Sequence, residues 1–352
     1  MTLADSRERF ARTLAAIRQH QQGHHGWGVL HRTLGELLAS RYPALDRLLN
    51  AVWTARPHIS DAHLITLIGA AVRQVVLNDQ NMAGLFGSQV SPATRLGLLR
   101  ELVGRREEDL TEALCGHSNS FTGARRFLVP QLIIGGFAMA NQLSEVRFLD
   151  IGTGLGILPR QLNNRIVYDR FSRNLDWSPR APGYRKIPLA SRYGIDAPPL
   201  PDLDWVRTCH GPSPYYEERF EELVWSLRET EGMKEKVTLR ELDMLDIPEL
   251  ARFIAEKEFN VITCSFVLFQ YDMRIQDMVK NCILTNMASP GLFLVMNPSH
   301  GLLRQGCRVE GHLSGDPAVL HLADVSDAHF IGTVTRGADL RTVIGEEGDG
   351  GD

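Results

Sequence analysis

The sequence predicts an α/β protein: a doubly wound, mostly parallel sheet over residues 141–342, preceded by an all-helical cap over 1–140. Three observations predict it. Apolar residues in the first part recur at helical spacing, and no segment there alternates like a strand. From Val146 onward short β-rich runs alternate with helical stretches, the order that builds a parallel sheet with crossover helices. One of those runs, Val146 to Ile151, opens directly into three glycines at alternate positions.

The chain of 352 residues is long enough for two domains or for one domain with an elaborate cap. With 43% hydrophobic residues it has ample material for a core. A net charge of −4 provides no electrostatic footprint for nucleic acid or an acidic membrane, so neither is expected as a partner. Cys115, Cys209, Cys264, Cys282 and Cys307 are odd in number and far apart, against a zinc ribbon or a secreted disulfide framework. Met1 to Phe10 lacks the apolar run of a signal peptide. The longest apolar stretch, Phe127 to Ala140, is only about 14 residues, too short to span a bilayer. A cytoplasmic protein is expected.

Phe10, Leu14 and Ile17 recur with a period near 3.6 and predict a helix over Asp5 to Gln22. Further helices are expected at 29–41, 44–55, 60–77, 92–104 and 107–115, with Pro43, Pro57 and Pro92 near their starts. The predicted strands are Val146–Ile151, Ser191–Ile195, Val237–Leu242, Val261–Phe266 and Leu292–Met296, with a late antiparallel pair at 318–323 and 329–335. Asp169 to Pro201 reads as a long irregular connection, a place where function often resides. The glycine- and acid-only end, Glu346 to Asp352, is read as disordered, and the tail is counted from 343.

The chemistry centres on Leu149-Asp150-Ile151-Gly152-Thr153-Gly154-Leu155-Gly156. Glycines at such a turn let a ligand approach the backbone. The spacing is GxGxG, and Ile157 stands where a dinucleotide fingerprint requires its third glycine. Asp150 would repel a pyrophosphate but suits a cationic amine. These features disfavour a nicotinamide dinucleotide and favour S-adenosylmethionine (SAM).

The segment resembles the class I SAM-dependent methyltransferases, and the resemblance continues in register through Arg192-Tyr193-Gly194-Ile195-Asp196, Leu242-Asp243-Met244-Leu245-Asp246 and Phe259 to Phe266. It implies a Rossmann-like sheet of class I type. It also implies that Asp150, Gly152, Thr153, Gly154 and Gly156 cradle the methionyl part. By the same resemblance Asp196 takes the ribose hydroxyls, Asp243 bonds the adenine amino group, the strand ending in Phe266 passes beneath the cofactor, and Met244 and Phe266 are further cofactor-binding candidates. A narrower likeness, carried by Ser118-Asn119-Ser120-Phe121-Thr122-Gly123-Ala124-Arg125-Arg126 and Tyr168-Asp169-Arg170, is to a bacterial methyltransferase-like family of unknown function. It implies that Asn119, Arg126 and Tyr168 lie near the pocket, although Asn119 and Arg126 serve equally well as braces for the helix entering the sheet.

Tyr168, Asn297 and Asn119 are the candidates to orient a reacting group. Asn297 comes from Met296-Asn297-Pro298-Ser299-His300, where Ser299 and His300 are further polar candidates. Tyr168, Phe266, Phe269 and Tyr271 read as a cluster facing a sulfonium, with Gln270 and Asp272 alongside. His24 and His25 lack partners at metal spacing, so no metal is expected. The expected function is SAM-dependent alkyl transfer to a small molecule, as a methyltransferase of specialised metabolism. Two alternatives stand beside it: a SAM-consuming cyclase forming azetidine-2-carboxylate and methylthioadenosine, and a non-catalytic SAM-binding protein.

Overall fold

Prolines and hydroxyl caps set the helix starts in the N-terminal part. Pro43 and Pro92 open α3 (Pro43–Ala55) and α5 (Pro92–Arg105), where a missing N–H costs nothing. Ser60 accepts the His63 N–H ahead of α4 (Asp61–Asn78), and Ser91 accepts that of Thr94 ahead of α5. With α1 (Leu3–His20), α2 (His25–Ala39) and α6 (Glu107–Gly116), these match the helices expected from periodicity, with ends shifted by a few residues. The computed structural model describes residues 3–20, 25–299 and 306–345. His24, His300 and the tail Glu346–Asp352 lie outside the described residues, as do the side chains of His25 and Ser299. Among the described residues, no helix is long and apolar enough to cross a membrane.

The chain forms two compact units, one of Met1–Phe121 with Pro201–Glu221 and one of Thr122–Leu200 with Glu222–Asp352. The helical unit therefore differs in extent from the segment 1–140 that the sequence suggests. α7 (Leu128–Ala140) belongs to the second unit, while α10 (Leu203–Cys209), inside the predicted sheet region, belongs to the first. The reason is packing: Trp205, Cys209 and Tyr216 are buried in one cluster with Phe10, Leu14, Leu30, Leu48 and Leu64. Arg73 reinforces it, donating to the His210 carbonyl and to Glu217 Oε1, the latter at 2.8 Å.

The second unit is built on nine strands. They are β1 (Val146–Ile151), β2 (Leu175–Ser178), β3 (Leu189–Asp196), β4 (Thr238–Glu241) and β5 (Val261–Ser265), followed by β6 (Leu292–Ser299), β7 (Gly306–Leu313), β8 (Leu320–Val325) and β9 (Gly332–Arg336). Their order is β2-β9-β8-β7-β6-β5-β1-β3-β4. The β4-β3-β1-β5-β6 block is wholly parallel, and β6 to β9 pair antiparallel. Counted in chain order, the five parallel strands run 3-2-1-4-5, the doubly wound order. The switch falls where the chain leaves β1 for β3 on one side and returns to β5 on the other.

Seven predicted strands correspond to observed ones, and the late pair is antiparallel as expected. β2 and β7 are additions. β2 shortens the irregular stretch expected over 169–201, and α14 (Leu340–Ile344) takes in residues the sequence assigns to the tail. Leu149, Ile151, Ile262, Cys264, Phe293 and Val295 fill one side of the parallel block beneath Phe253 and Val279 of α12 (Ile247–Lys257) and α13 (Met273–Asn286). On the strands' other side the period-2 partners Asp150, Thr263 and Ser265 bring polar groups to the carboxyl edge.

Candidate functional site

The glycine turn leaves β1 with φ +70° at Gly152, +56° at Gly154 and +67° at Gly156. Only glycine holds three left-handed positions in so short a run without strain. Protein packing demands glycine as well. A Cβ at Gly152 would stand 2.1 Å from Val267 Cγ2, one at Gly154 2.7 Å from Thr122 Oγ1, and one at Gly156 2.6 Å from Leu239 Cδ2. The glycines expected to admit a ligand are also closed upon by neighbouring side chains.

The turn's N–H groups are occupied internally. Gly152 and Thr153 both donate to the Ile195 carbonyl at 2.9 and 3.0 Å, and Gly156 donates to the Thr153 carbonyl at 3.0 Å. Gly154 donates to Asp196 Oδ2 at 2.8 Å. A phosphate cradle requires such groups free and converging, so this turn is not one.

Asp196 ends β3 beside the turn. Its second oxygen accepts the Ala197 N–H at 2.9 Å, which leaves about two of its four lone-pair sites for a ligand. Burial raises its pKa, more than the two N–H groups lower it, and the charge of Asp243 pushes the same way. Asp243, just past β4, accepts the Leu245 N–H at 2.9 Å. Met244 is 5% exposed and belongs to the sheet–helix core.

Asp150 is 3% exposed and accepts a hydrogen bond from Thr263 Oγ1 at 2.7 Å. Burial drives its pKa up to about 7, against the pull of Thr263 and Thr153, with Asp196 adding to the rise. Thr153 is buried beside it and packs against Gly194, where a Cβ would stand 2.6 Å from its Oγ1.

Beyond β5, Phe266 sits at φ +59°. Its N–H donates to the Met296 carbonyl at 2.7 Å, and its carbonyl accepts Gln270 Nε2 at 2.7 Å. The Arg126 guanidinium carbon lies over the ring, 4.0 Å from its centroid, so one face of this aromatic already carries a cation. Asp272 accepts the Ile275 N–H at 3.0 Å and caps α13. Gln270 and Asp272 thus serve the backbone.

The expected aromatic cluster divides into separate groups. Phe266 and Phe269 meet edge to face at 6.3 Å, and Tyr271 packs on the sheet–helix core. Tyr168 lies on α9 (Arg165–Ser172) against Tyr184 at 4.7 Å and Phe127 at 6.5 Å, with Arg165 over its ring. Burial raises the Tyr168 pKa, which keeps its hydroxyl protonated at neutral pH. The structure therefore gathers Asp150, the turn, Asp196, Asp243, Phe266 and Asn297 at one carboxyl edge. It sets Tyr168 in another aromatic group and Asn119 in the first unit. Two polar residues at that edge were missed, Thr263 and Ser265, while Arg126, which the narrower likeness places near the pocket, lies over the Phe266 ring. The hydroxyls at alternate positions in Val261-Ile262-Thr263-Cys264-Ser265 were the available signal.

No family model matches the chain, and no curated protein does. A solved structure described as PigF with SAH is similar over 66% of this chain and 74% of that chain, at 16% identity and a TM-score of 0.26. At that score the overlap is too loose to assign a fold or a ligand.

Proposed function

We propose that the carboxyl edge of the parallel block binds SAM and that the protein is a SAM-dependent alkyl-transfer enzyme acting on a small molecule. The observation that carries this reading is the turn after β1: its N–H groups at positions 152, 153, 154 and 156 are internally bonded, and carboxylates surround it. Such a site repels pyrophosphate and attracts a cation bearing hydroxyl groups. Asp196 has lone pairs left for a ribose diol, and Asp243 is positioned at the next strand for the base. A sulfonium carbon is already activated, so the protein's work is to align a nucleophile at about 3–3.5 Å. In methyl transfer the acceptor's lone pair forms a bond to the methyl carbon, the carbon–sulfur bond breaks toward sulfur, and the acceptor releases a proton.

One observation favours the cyclase as a second reading. Closure of the four-membered ring needs a neutral substrate amine, and a tight carboxylate contact would hold that amine as ammonium. Asp150 is buried and bonded to Thr263, which suits an amine left without that contact. The amine nitrogen then bonds to its own γ-carbon as that carbon's bond to sulfur breaks, yielding methylthioadenosine. Titration calorimetry with SAM, S-adenosylhomocysteine and a nicotinamide dinucleotide tests the site. Binding of the dinucleotide alone refutes it. Incubation with SAM alone then tests the cyclase: methylthioadenosine above the spontaneous rate means cyclisation, and intact SAM excludes it.

A further inference from the structure

Helical spacing brings Ala4, Arg7, Ala11, Leu14 and Arg18 to one face of α1, and that face lines a cavity of about 760 Å³ inside the helical unit. Leu38 and Ala39 line it from α2, Arg41 from the turn that follows, and Asp46 from α3. Between Ala4 and Arg18 the cavity follows α1 for about 21 Å. Its volume is that of a small-molecule site. A protein helix of the same length, side chains included, would occupy upwards of roughly 1,600 Å³, so the cavity suits an extended chain and not a helix.

The charges in the cavity do not cancel. Arg7 Nη1 donates to both Asp46 oxygens, at 2.7 and 2.8 Å, and Arg7 Nη2 donates to the Leu38 carbonyl. Glu8, also in the lining, accepts from Arg12 at 3.1 Å. The guanidiniums of Arg18 and Arg41 have no acid or carbonyl partner among the described residues. Arg18 is turned across α2: a Cβ at Gly35 would stand 2.8 Å from its Nη1. Its charge also reaches His31, four residues earlier on that helix, adding to the burial that lowers the His31 pKa to about 4. Glycine inside a helix is less favourable than alanine, and Gly35 lies inside α2. What it provides there is room for the Arg18 guanidinium.

Two unmatched cations beside a wall of alanine and leucine select an anion joined to an apolar body. Glu8 and Asp46 line the same cavity and oppose a dianion, which leaves a carboxylate as the partner of a guanidinium fork. We propose that this cavity binds a carboxylate carried on a linear aliphatic chain, with Arg18 on the head group and the chain lying along Leu14, Ala11 and Ala4. Arg41 adds to the positive field that draws the anion in. The cavity lies in the helical unit and its residues have no part in the SAM reading, so the two stand or fall separately.

Calorimetry on the full chain tests this with octanoate, decanoate and dodecanoate, each below its micelle-forming concentration, and with octanol. Wild type should bind the acids with an affinity that rises about two- to fourfold per added methylene. Octanol should bind about fivefold or more weakly than octanoate; Arg18 and Arg41 are exposed, which keeps the head-group effect to that size. Arg18→Gln should lose the same factor for octanoate and leave octanol unchanged. Gly35→Ala is the second variant. It favours the helix, so Tm should hold or rise, while its Cβ displaces the Arg18 guanidinium and octanoate affinity falls as in Arg18→Gln. Wild type that binds none of the acids overturns the proposal. So does an affinity independent of chain length, octanol binding as well as octanoate, or wild-type octanoate affinity in Arg18→Gln.

Discussion

Asp196→Ala perturbs two things that can be measured apart. In the folded protein the carboxylate holds the turn, accepting from Gly154 at 2.8 Å and from Ala197 at 2.9 Å. Its removal leaves the Gly154 N–H without an acceptor in a turn fixed at φ +56°. An unmatched buried donor costs about 1–3 kcal/mol, which for a unit of this size lowers Tm by roughly 2–12 °C. Relief of repulsion from Asp243 and of the burial that raises the Asp196 pKa works the other way, so the lower part of that range is expected. The ligand effect is separate. Each ribose hydroxyl bonded to a charged oxygen contributes about 1.5–3 kcal/mol, so S-adenosylhomocysteine affinity should fall about tenfold or more. Asp196→Asn is no rescue, since its amide must turn an NH2 toward one of two N–H donors. Scanning fluorimetry and calorimetry on the same samples check both numbers. A lowered Tm with wild-type affinity would refute a ribose role and leave Asp196 as a brace for the turn.

Two further outcomes are expected. Gly152→Ala should destabilise by at least about 1–2 kcal/mol from its left-handed backbone alone, and more from the 2.1 Å approach to Val267; Val267→Ala in the same chain should recover the second part, as denaturant melts will show. Deleting residues 1–100 should give aggregated protein on size exclusion, because Trp205, Cys209 and Tyr216 lose the helices that bury them; a monodisperse fragment would show that segment 201–221 needs no such cover.

Much of this fold was legible because local pattern and tertiary role coincide. Val146 to Ile151 is an apolar run broken only by Arg147 and Asp150, which is close to how a strand covered on both faces reads, and the glycines mark its end. β2 was not legible. Its four residues, Leu175 to Ser178, sit among arginines and prolines, and their partner β9 is over 150 residues away. β7 alternates as a strand should, yet its glycines at 306 and 311 weaken the pattern. The placement of the Arg126 guanidinium over the Phe266 ring joins residues 140 apart in sequence, which no spacing argument reaches. The assignment of 201–221 to the helical unit depends on which core receives Trp205, and an amphipathic helix looks the same in either. At the site, residue types were readable and partners were not: the sequence offered Asp150 as a counter-ion, and Thr263 across the strand pair changes what that acid is doing.

The two reactions therefore turn on Asp150, and its titration separates them. Its pKa in the folded protein is about 7, against an ordinary value of 3.8. Between those values the native state keeps a proton that the unfolded chain has released. The group's contribution to stability is thus full below about pH 3.8 and is lost as pH rises through about 7. The shift corresponds to something on the order of 4 kcal/mol. Asp150→Asn keeps the oxygen that accepts from Thr263 and cannot ionise, so it should exceed wild type in stability at pH 8 by a few kcal/mol and approach it at pH 4. Urea melts at both values check this, and a difference independent of pH would mean that Asp150 is not held protonated by burial. Ligand binding then supplies the mechanistic step. If Asp150 is the counter-ion of the substrate ammonium, binding must ionise it, so S-adenosylhomocysteine will release protons near pH 7 and bind Asp150→Asn about tenfold more weakly at pH 8. That result fixes the amine as ammonium and leaves the methyl group as what is transferred. Equal affinity and no proton release leave the amine free of a carboxylate, the condition that ring closure requires.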